Sequence, residues 1–170
     1  MRLRNLDLGD LDLYVAQYCD PQMWTHLGGP RPREGLEDKL ERDVAATAAD
    51  EYWVLVVMPD ETGAGAGTVA VWEHESEGRP VEEIGWMILP AFQGRGIGKA
   101  AVAATIDRAR ASGRWHVLEA FPSVTNDPSN ALCRGLGFTL VGEVDHDPQG
   151  TLRCNHWLLD LGGLTRGRQG

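Results

Sequence analysis

The sequence predicts a single α/β domain, a central mixed but mostly antiparallel sheet of about seven strands flanked by about four helices. Two observations carry this. Three β-prone runs follow one another at 51–58, 68–75 and 81–89 with only turn residues between them, which predicts an antiparallel meander. Two later strand–helix–strand passages predict parallel neighbours. The 170 residues hold no repeat and no internal linker, and that length suits one domain with its own core.

The elements read in the order β–α–α–β–β–β–α–β–α–β–β. Residues 1–8 alternate apolar and polar around Leu3, Leu6 and Leu8, which predicts a first strand. Leu11, Tyr14, Val15 and Tyr18 then recur at helical spacing, after a starting Asp10. The Pro- and Gly-rich segment 20–32 reads as a loop. Leu36, Leu40 and Val44 stand four apart in a second amphipathic helix over 33–50. "EYWVLVVM" is a buried strand, "TVAVWEHE" the next, and "VEEIGWMIL" a fourth that stops at Pro90. A helix is predicted from about 94 to 112, closed by Gly113. "WHVLEAF" is the fifth strand, and "NDPSNALCRGLG" a short helix with Pro128 in its first turn and Gly137 past its end. "FTLVGEV" and "TLRCNHWLLDL" are the last two strands, joined by the turn-like "DHDPQG". Residues 1–162 thus form the domain, and 163–170 are expected to be a flexible tail.

Composition narrows the function. Apolar residues make up 42% and charged residues 24% of the chain, ordinary values for a soluble domain. No run of about 18 apolar residues exists, so no membrane partner is expected. The first residues lack a signal-peptide core, and a cytoplasmic location is the expectation. Cys19, Cys133 and Cys154 are far apart and form no CxxC pair, which predicts reduced thiols and no metal site. The net charge of −9 argues against nucleic acid and suits a cationic small-molecule or peptide partner.

One stretch asks for a chemical explanation. "QGRGIGK" places Gly94, Gly96 and Gly98 at alternate positions where a helix must start, although glycine in a helix costs about 0.5–1 kcal/mol against alanine. A helix N-terminus offers unpaired N–H groups to phosphate oxygens. Glycines let a pyrophosphate approach that backbone, and Arg95 and Lys99 add positive charge. The alternative is simply a tight strand-to-helix turn. The run is not a P-loop, because Ala100 follows Lys99 where Ser or Thr would be required, and the dinucleotide fingerprint GxGxxG also fails.

"QGRGIG" at 93–98 resembles the Q/R-x-x-G-x-G/A signature of the GNAT-type N-acetyltransferase superfamily. "EIGWMILPAFQ" resembles that family's fourth strand, and "NDPSNALCRGLGF" at 126–138 its N-x-x-S/A-x-x-L-Y-x-x-x-GF motif. The resemblance covers roughly residues 50–145, with the N-terminal helices agreeing in topology. It implies a GNAT-like fold and acetyl-coenzyme A as cosubstrate, without a metal. It implies that backbone amides of Gly94, Arg95, Gly96, Ile97, Gly98 and Lys99 bind the pyrophosphate. The main chain of Trp86, Met87 and Ile88 would hold the pantetheine arm, with Asn126 and Ser129 beside it. Asn126 serves equally well as a helix cap.

The family's tyrosine acid is absent, and Cys133 stands in its slot. Cys133 is therefore the candidate acid, although a buried free cysteine is otherwise a small hydrophobe. A base has a larger task. A lysine-like amine is neutral in only about one molecule in 2,500 at pH 7, a deficit of roughly 4.6 kcal/mol, against about 1.4 kcal/mol for an α-amine. Glu83 on the fourth strand, ten residues before Gln93, is the candidate base. Strand alternation turns Glu82 to the other face. His116 and Glu119 on the fifth strand are further candidates, and Tyr14, Tyr18 and Trp24 are candidates to line the acceptor site.

The resemblance implies direct acetyl transfer to an amine of a small molecule or peptide. A non-catalytic acyl-coenzyme A binding module on the same fold is the alternative. A monomer or a homodimer is compatible with either.

Overall fold

Seven strands form one sheet in the order β1-β2-β3-β4-β5-β7-β6. They are β1 (Arg2–Asn5), β2 (Trp53–Met58), β3 (Gly67–Ser76), β4 (Arg79–Ile88), β5 (Val117–Ala120), β6 (Thr139–Asp145) and β7 (Arg153–Asp160). Four α-helices flank them: α1 (Leu11–Tyr18), α2 (Leu36–Ala48), α3 (Ile97–Ser112) and α4 (Asp127–Gly135). The computed structural model describes residues 1–60, 63–76, 78–146 and 152–162, so the expected tail at 163–170 lies outside the described residues.

The β2–β3–β4 meander is antiparallel throughout, as the uninterrupted strand–turn–strand pattern requires. β2 is buried at every position, in keeping with its unbroken apolar run. The sheet separates two cores. One face packs Leu55, Val69, Ile84 and Ile88 against α3 through Val102 and Ile106. The other packs Val54 and Val56 against Leu13, Tyr14 and Leu40 of α1 and α2.

The structure departs from the sequence reading in four places. β1 stops at Asn5, because the Asp7 carboxylate accepts the Gly9 N–H and starts a 3-10 turn over Leu8–Asp10 that leaves Leu8 exposed. A second 3-10 turn, Pro21–Trp24, sits in the predicted loop, capped by the Asp20 carboxylate on the Gln22 N–H. α3 starts at Ile97 instead of 94, since Gly94 and Gly96 are left-handed with φ of 68° and 75°. Finally, only the first strand–helix–strand passage gives parallel neighbours. β7 inserts antiparallel between β5 and β6, so β6 becomes an exposed edge.

β4 and β5 are the parallel pair, and they share a single registered pair, Glu83 with Glu119. Beyond it the two strands part. This gap in an otherwise continuous sheet positions the site.

Candidate active site

A cavity of about 620 Å³ lies between the end of β4, the N-terminus of α3 and α4, with the 3-10 turn at 21–24 and the residues after it as its fourth wall. Of the sequence candidates, Trp86, Met87, Ile88, Gly94, Gly96, Gly98, Lys99, Asn126 and Ser129 line it. Arg95 and Ile97 do not; the Arg95 guanidinium lies over the Phe92 ring, and Ile97 packs toward the core.

The three glycines have different physical tasks. A Cβ at Gly94 or Gly96 would meet no atom within 4 Å beyond its chain neighbours, so both open onto empty space, and both hold the positive φ that glycine tolerates. A Cβ on Gly98 would instead stand 3.3 Å from Ile88 Cγ1, so this glycine lets α3 lie close on β4. Ala100 N–H donates to the Gly96 carbonyl at 3.0 Å and is the first helix amide with an internal partner. The N–H groups from Gly94 to Lys99 have no acceptor among the described residues. Bare backbone, free donors and the positive end of a sixteen-residue helix fit a pyrophosphate.

β4 presents its backbone to the same cavity. Leu89 N–H donates to the Ala66 carbonyl on the β3 side. Strand alternation therefore turns the amides of Ile88 and Trp86 toward the gap. The Gln93 side-chain amide donates to the Ile88 carbonyl at 2.8 Å and ties the glycine loop to the strand end. Buried Gln17 of α1 donates to the Met87 carbonyl at 2.9 Å and to Thr68 Oγ1 at 3.1 Å, and its own carbonyl accepts the Trp24 indole N–H. Gln17 thus holds the strand through its side chain and the wall built from residues 21–24 through its backbone carbonyl.

Asn126 is the helix cap considered for it, its Oδ1 accepting the Ser129 N–H, and it also lines the cavity. Cys133 follows the second of its two readings, a small buried hydrophobe. It is fully buried in the core and outside the cavity, and burial pushes its thiol up to about 12. A thiol so placed cannot reach a leaving group.

Glu83 stands outside the cavity lining, at the closed end of the β4–β5 gap and on the α1/α2 face of the sheet. Its Oε2 lies 2.9 Å from His74 Nε2 and 3.1 Å from His146 Nε2. Glu82, on the other face, accepts the His116 and Val117 N–H groups and pins the start of β5. Its other oxygen lies 3.5 Å from His116 Nδ1, so His116 is occupied there. Glu119 is buried and clamped by a bidentate Arg79 and by His156. Tyr14 is buried with its hydroxyl on Asp43, while Tyr18 and Trp24 border a second cavity of about 400 Å³ with Arg31 and Lys39.

Sequence reasoning missed Gln17, Gln22, Met23 and His26. Gln93 was legible, since it opens the glycine signature. Gln17 was not, because a polar residue on an amphipathic helix reads as solvent-facing. Gln22, Met23 and His26 sat in a segment whose prolines and glycines conceal an ordered turn.

Known proteins share this architecture. The acetyltransferase (GNAT) domain family model matches residues 1–139. The L-methionine sulfoximine/L-methionine sulfone acetyltransferase of Salmonella typhimurium is 31% identical over 107 residues, 63% of this chain and 60% of that protein. Salmonella typhimurium YncA, solved with its cofactor acetyl-CoA, is 26% identical with a TM-score of 0.72, over 95% of this chain and 94% of that one. The Vibrio fischeri ribosomal-protein-S5-alanine acetyltransferase superposes with a TM-score of 0.77 at 19% identity, over 94% and 92% of the two chains, a likeness of fold. With the family model matching most of its length, the chain belongs to the GNAT acetyltransferase family.

Proposed function

We propose that the chain transfers an acetyl group from acetyl-coenzyme A to an amine of a small molecule or peptide. The observation that carries this is the glycine cradle opening onto one end of a cavity that continues along β4 toward the parting of β4 from β5. Acetyl-coenzyme A supplies a thioester-activated acetyl group.

The chain's own groups then divide the work. N–H groups from Gly94 to Lys99 hold the pyrophosphate, aided by the Lys99 ammonium. The main chain of Trp86, Met87 and Ile88, with Asn126 and Ser129, holds the pantetheine arm. Glu83 stands about 16 Å along the strand from Ile88, so the amine's proton reaches its carboxylate through water in the gap. The Ile88 N–H polarises the carbonyl oxygen. Glu83 takes the proton from the incoming amine, which approaches from the α1/α2 face. Cys133 has no part in the chemistry, and the thiolate leaves to solvent. Holding both reactants in line supplies much of the remaining acceleration.

The likeness to a methionine sulfoximine and sulfone acetyltransferase supports an α-amine on a small amino-acid-like acceptor. Such an amine needs less help from a base than a lysine-like one. The test is thiol release from acetyl-coenzyme A with a panel of amino acids, polyamines and peptide N-termini. Release above the hydrolysis background with at least one amine is expected. Tight coenzyme A binding with no amine acetylated would overturn catalysis and favour a binding module.

A further inference from the structure

Away from the cavity, three half-buried side chains from separate elements meet: His74 on β3, Glu83 on β4 and His146 just after β6. One ligand-type atom from each lies within 4.8 Å of the others. The His146 ring is stacked on Phe121, with centroids 3.8 Å apart and planes 13° apart, so its orientation is set. His74 Nδ1 lies 3.4 Å from the Glu75 carbonyl. Its Nε2 lies 2.9 Å from the Glu83 carboxylate oxygen.

We propose that His74, Glu83 and His146 form a binding site for a divalent transition ion of the zinc type. Two ligands about 2.1 Å from a tetrahedral ion are about 3.4 Å apart. The two Nε2–Oε2 separations, 2.9 and 3.1 Å, come within about 0.5 Å of that spacing. Two imidazole nitrogens and one carboxylate suit zinc, cobalt, nickel or iron(II), whereas magnesium and calcium want oxygen alone. The Glu75 carbonyl is the kind of outer partner that fixes a ligating histidine's tautomer. The inference departs from the metal-free expectation drawn from the sequence. It also deepens the functional reading, on which its consequence rests: a divalent ion on Glu83 Oε2 withdraws charge from the carboxylate and weakens it as a base, so occupancy slows acetyl transfer.

The test uses the untagged full chain, stripped with a chelator and titrated with Co²⁺, then dialysed against Zn²⁺ for elemental analysis. About one equivalent per chain is expected, with visible cobalt bands of a nitrogen–oxygen site. His74→Ala and His146→Ala each lower the affinity about ten-fold or more. His74→Asn and His146→Gln serve where an alanine variant loses its native circular dichroism. Binding that is unchanged in the variants, or absent from the parent chain, overturns the site and leaves Glu83 as base untouched. Zn²⁺ bound at these residues without slowing transfer upholds the site and instead removes Glu83 from the chemistry.

Discussion

Glu83 and Glu119 face each other across the only registered pair of the β4–β5 ladder, yet their carboxylates have different partners. Arg79 neutralises Glu119 through two hydrogen bonds of 2.6 and 2.8 Å. Glu83 meets only the two imidazoles of His74 and His146 among the described residues. One carboxylate is therefore committed to structure, and the other is available for proton transfer. Glu83→Gln is expected to lower kcat about 100-fold, the usual contribution of a general base. The loss should be greatest below pH 8, where the acceptor amine is mostly protonated, and coenzyme A affinity should not change. A pH–rate profile for parent and variant checks this; superimposable profiles exclude Glu83.

Glu119→Gln is expected to cost stability instead. Burial alone would push the Glu119 carboxyl up, but hydrogen bonds from Arg79 and His156 outweigh it and hold the group below its ordinary 4.5. A depressed carboxyl stabilises the fold at pH values above 4.5, and this contribution fades as pH falls through the lower folded value. The variant should be about 2 kcal/mol less stable at pH 7. That deficit should shrink below pH 4.5. Denaturant titrations of both proteins at pH 7 and pH 3.5 decide the matter, and an equal deficit at the two pH values refutes the pairing.

Cys133→Ala separates the family slot from the residue that fills it. The thiol is walled off from the cavity and pushed up to about 12 by burial, so its removal should leave kcat within about two-fold. Stability should fall by about 1–2 kcal/mol, the ordinary cost of a small core void. A rate loss of a hundred-fold with an intact cofactor affinity would return the proton-donor role to this position.

The elements were legible because their periodicities are local. Alternation at β3 and β4, the four-residue spacing of Leu36 and Leu40, and the punctuation by Pro90 and Gly113 all act within a few residues. Strand order was less legible. Nothing in 139–160 says that β7 docks on β5 and leaves β6 at the edge, because that choice depends on which face each strand can bury. The glycine loop was readable as chemistry, since glycines at a helix start bare the unpaired N–H groups that a phosphate fits. The histidines around Glu83 were invisible for the opposite reason. His74 and His146 come from distant turns of the chain, and only the folded sheet brings them to one carboxylate.

Gly96 and Gly98 sit two residues apart and should fail in different ways. Gly96 holds φ of 75° and faces open space, so Gly96→Leu has room for its side chain and pays about 1–2 kcal/mol for the left-handed backbone. That side chain would stand where the pyrophosphate is proposed to lie, and cofactor binding should fall at least a hundred-fold. Gly98 is not left-handed, but its missing Cβ is what lets Ile88 Cγ1 approach. Gly98→Leu therefore wedges α3 away from β4 and should cost about 1–3 kcal/mol through overpacking. Calorimetry with coenzyme A and thermal unfolding, run on both variants, distinguish the two tasks. A Gly96→Leu chain that binds coenzyme A as the parent does would mean that the free amides of this loop hold no phosphate.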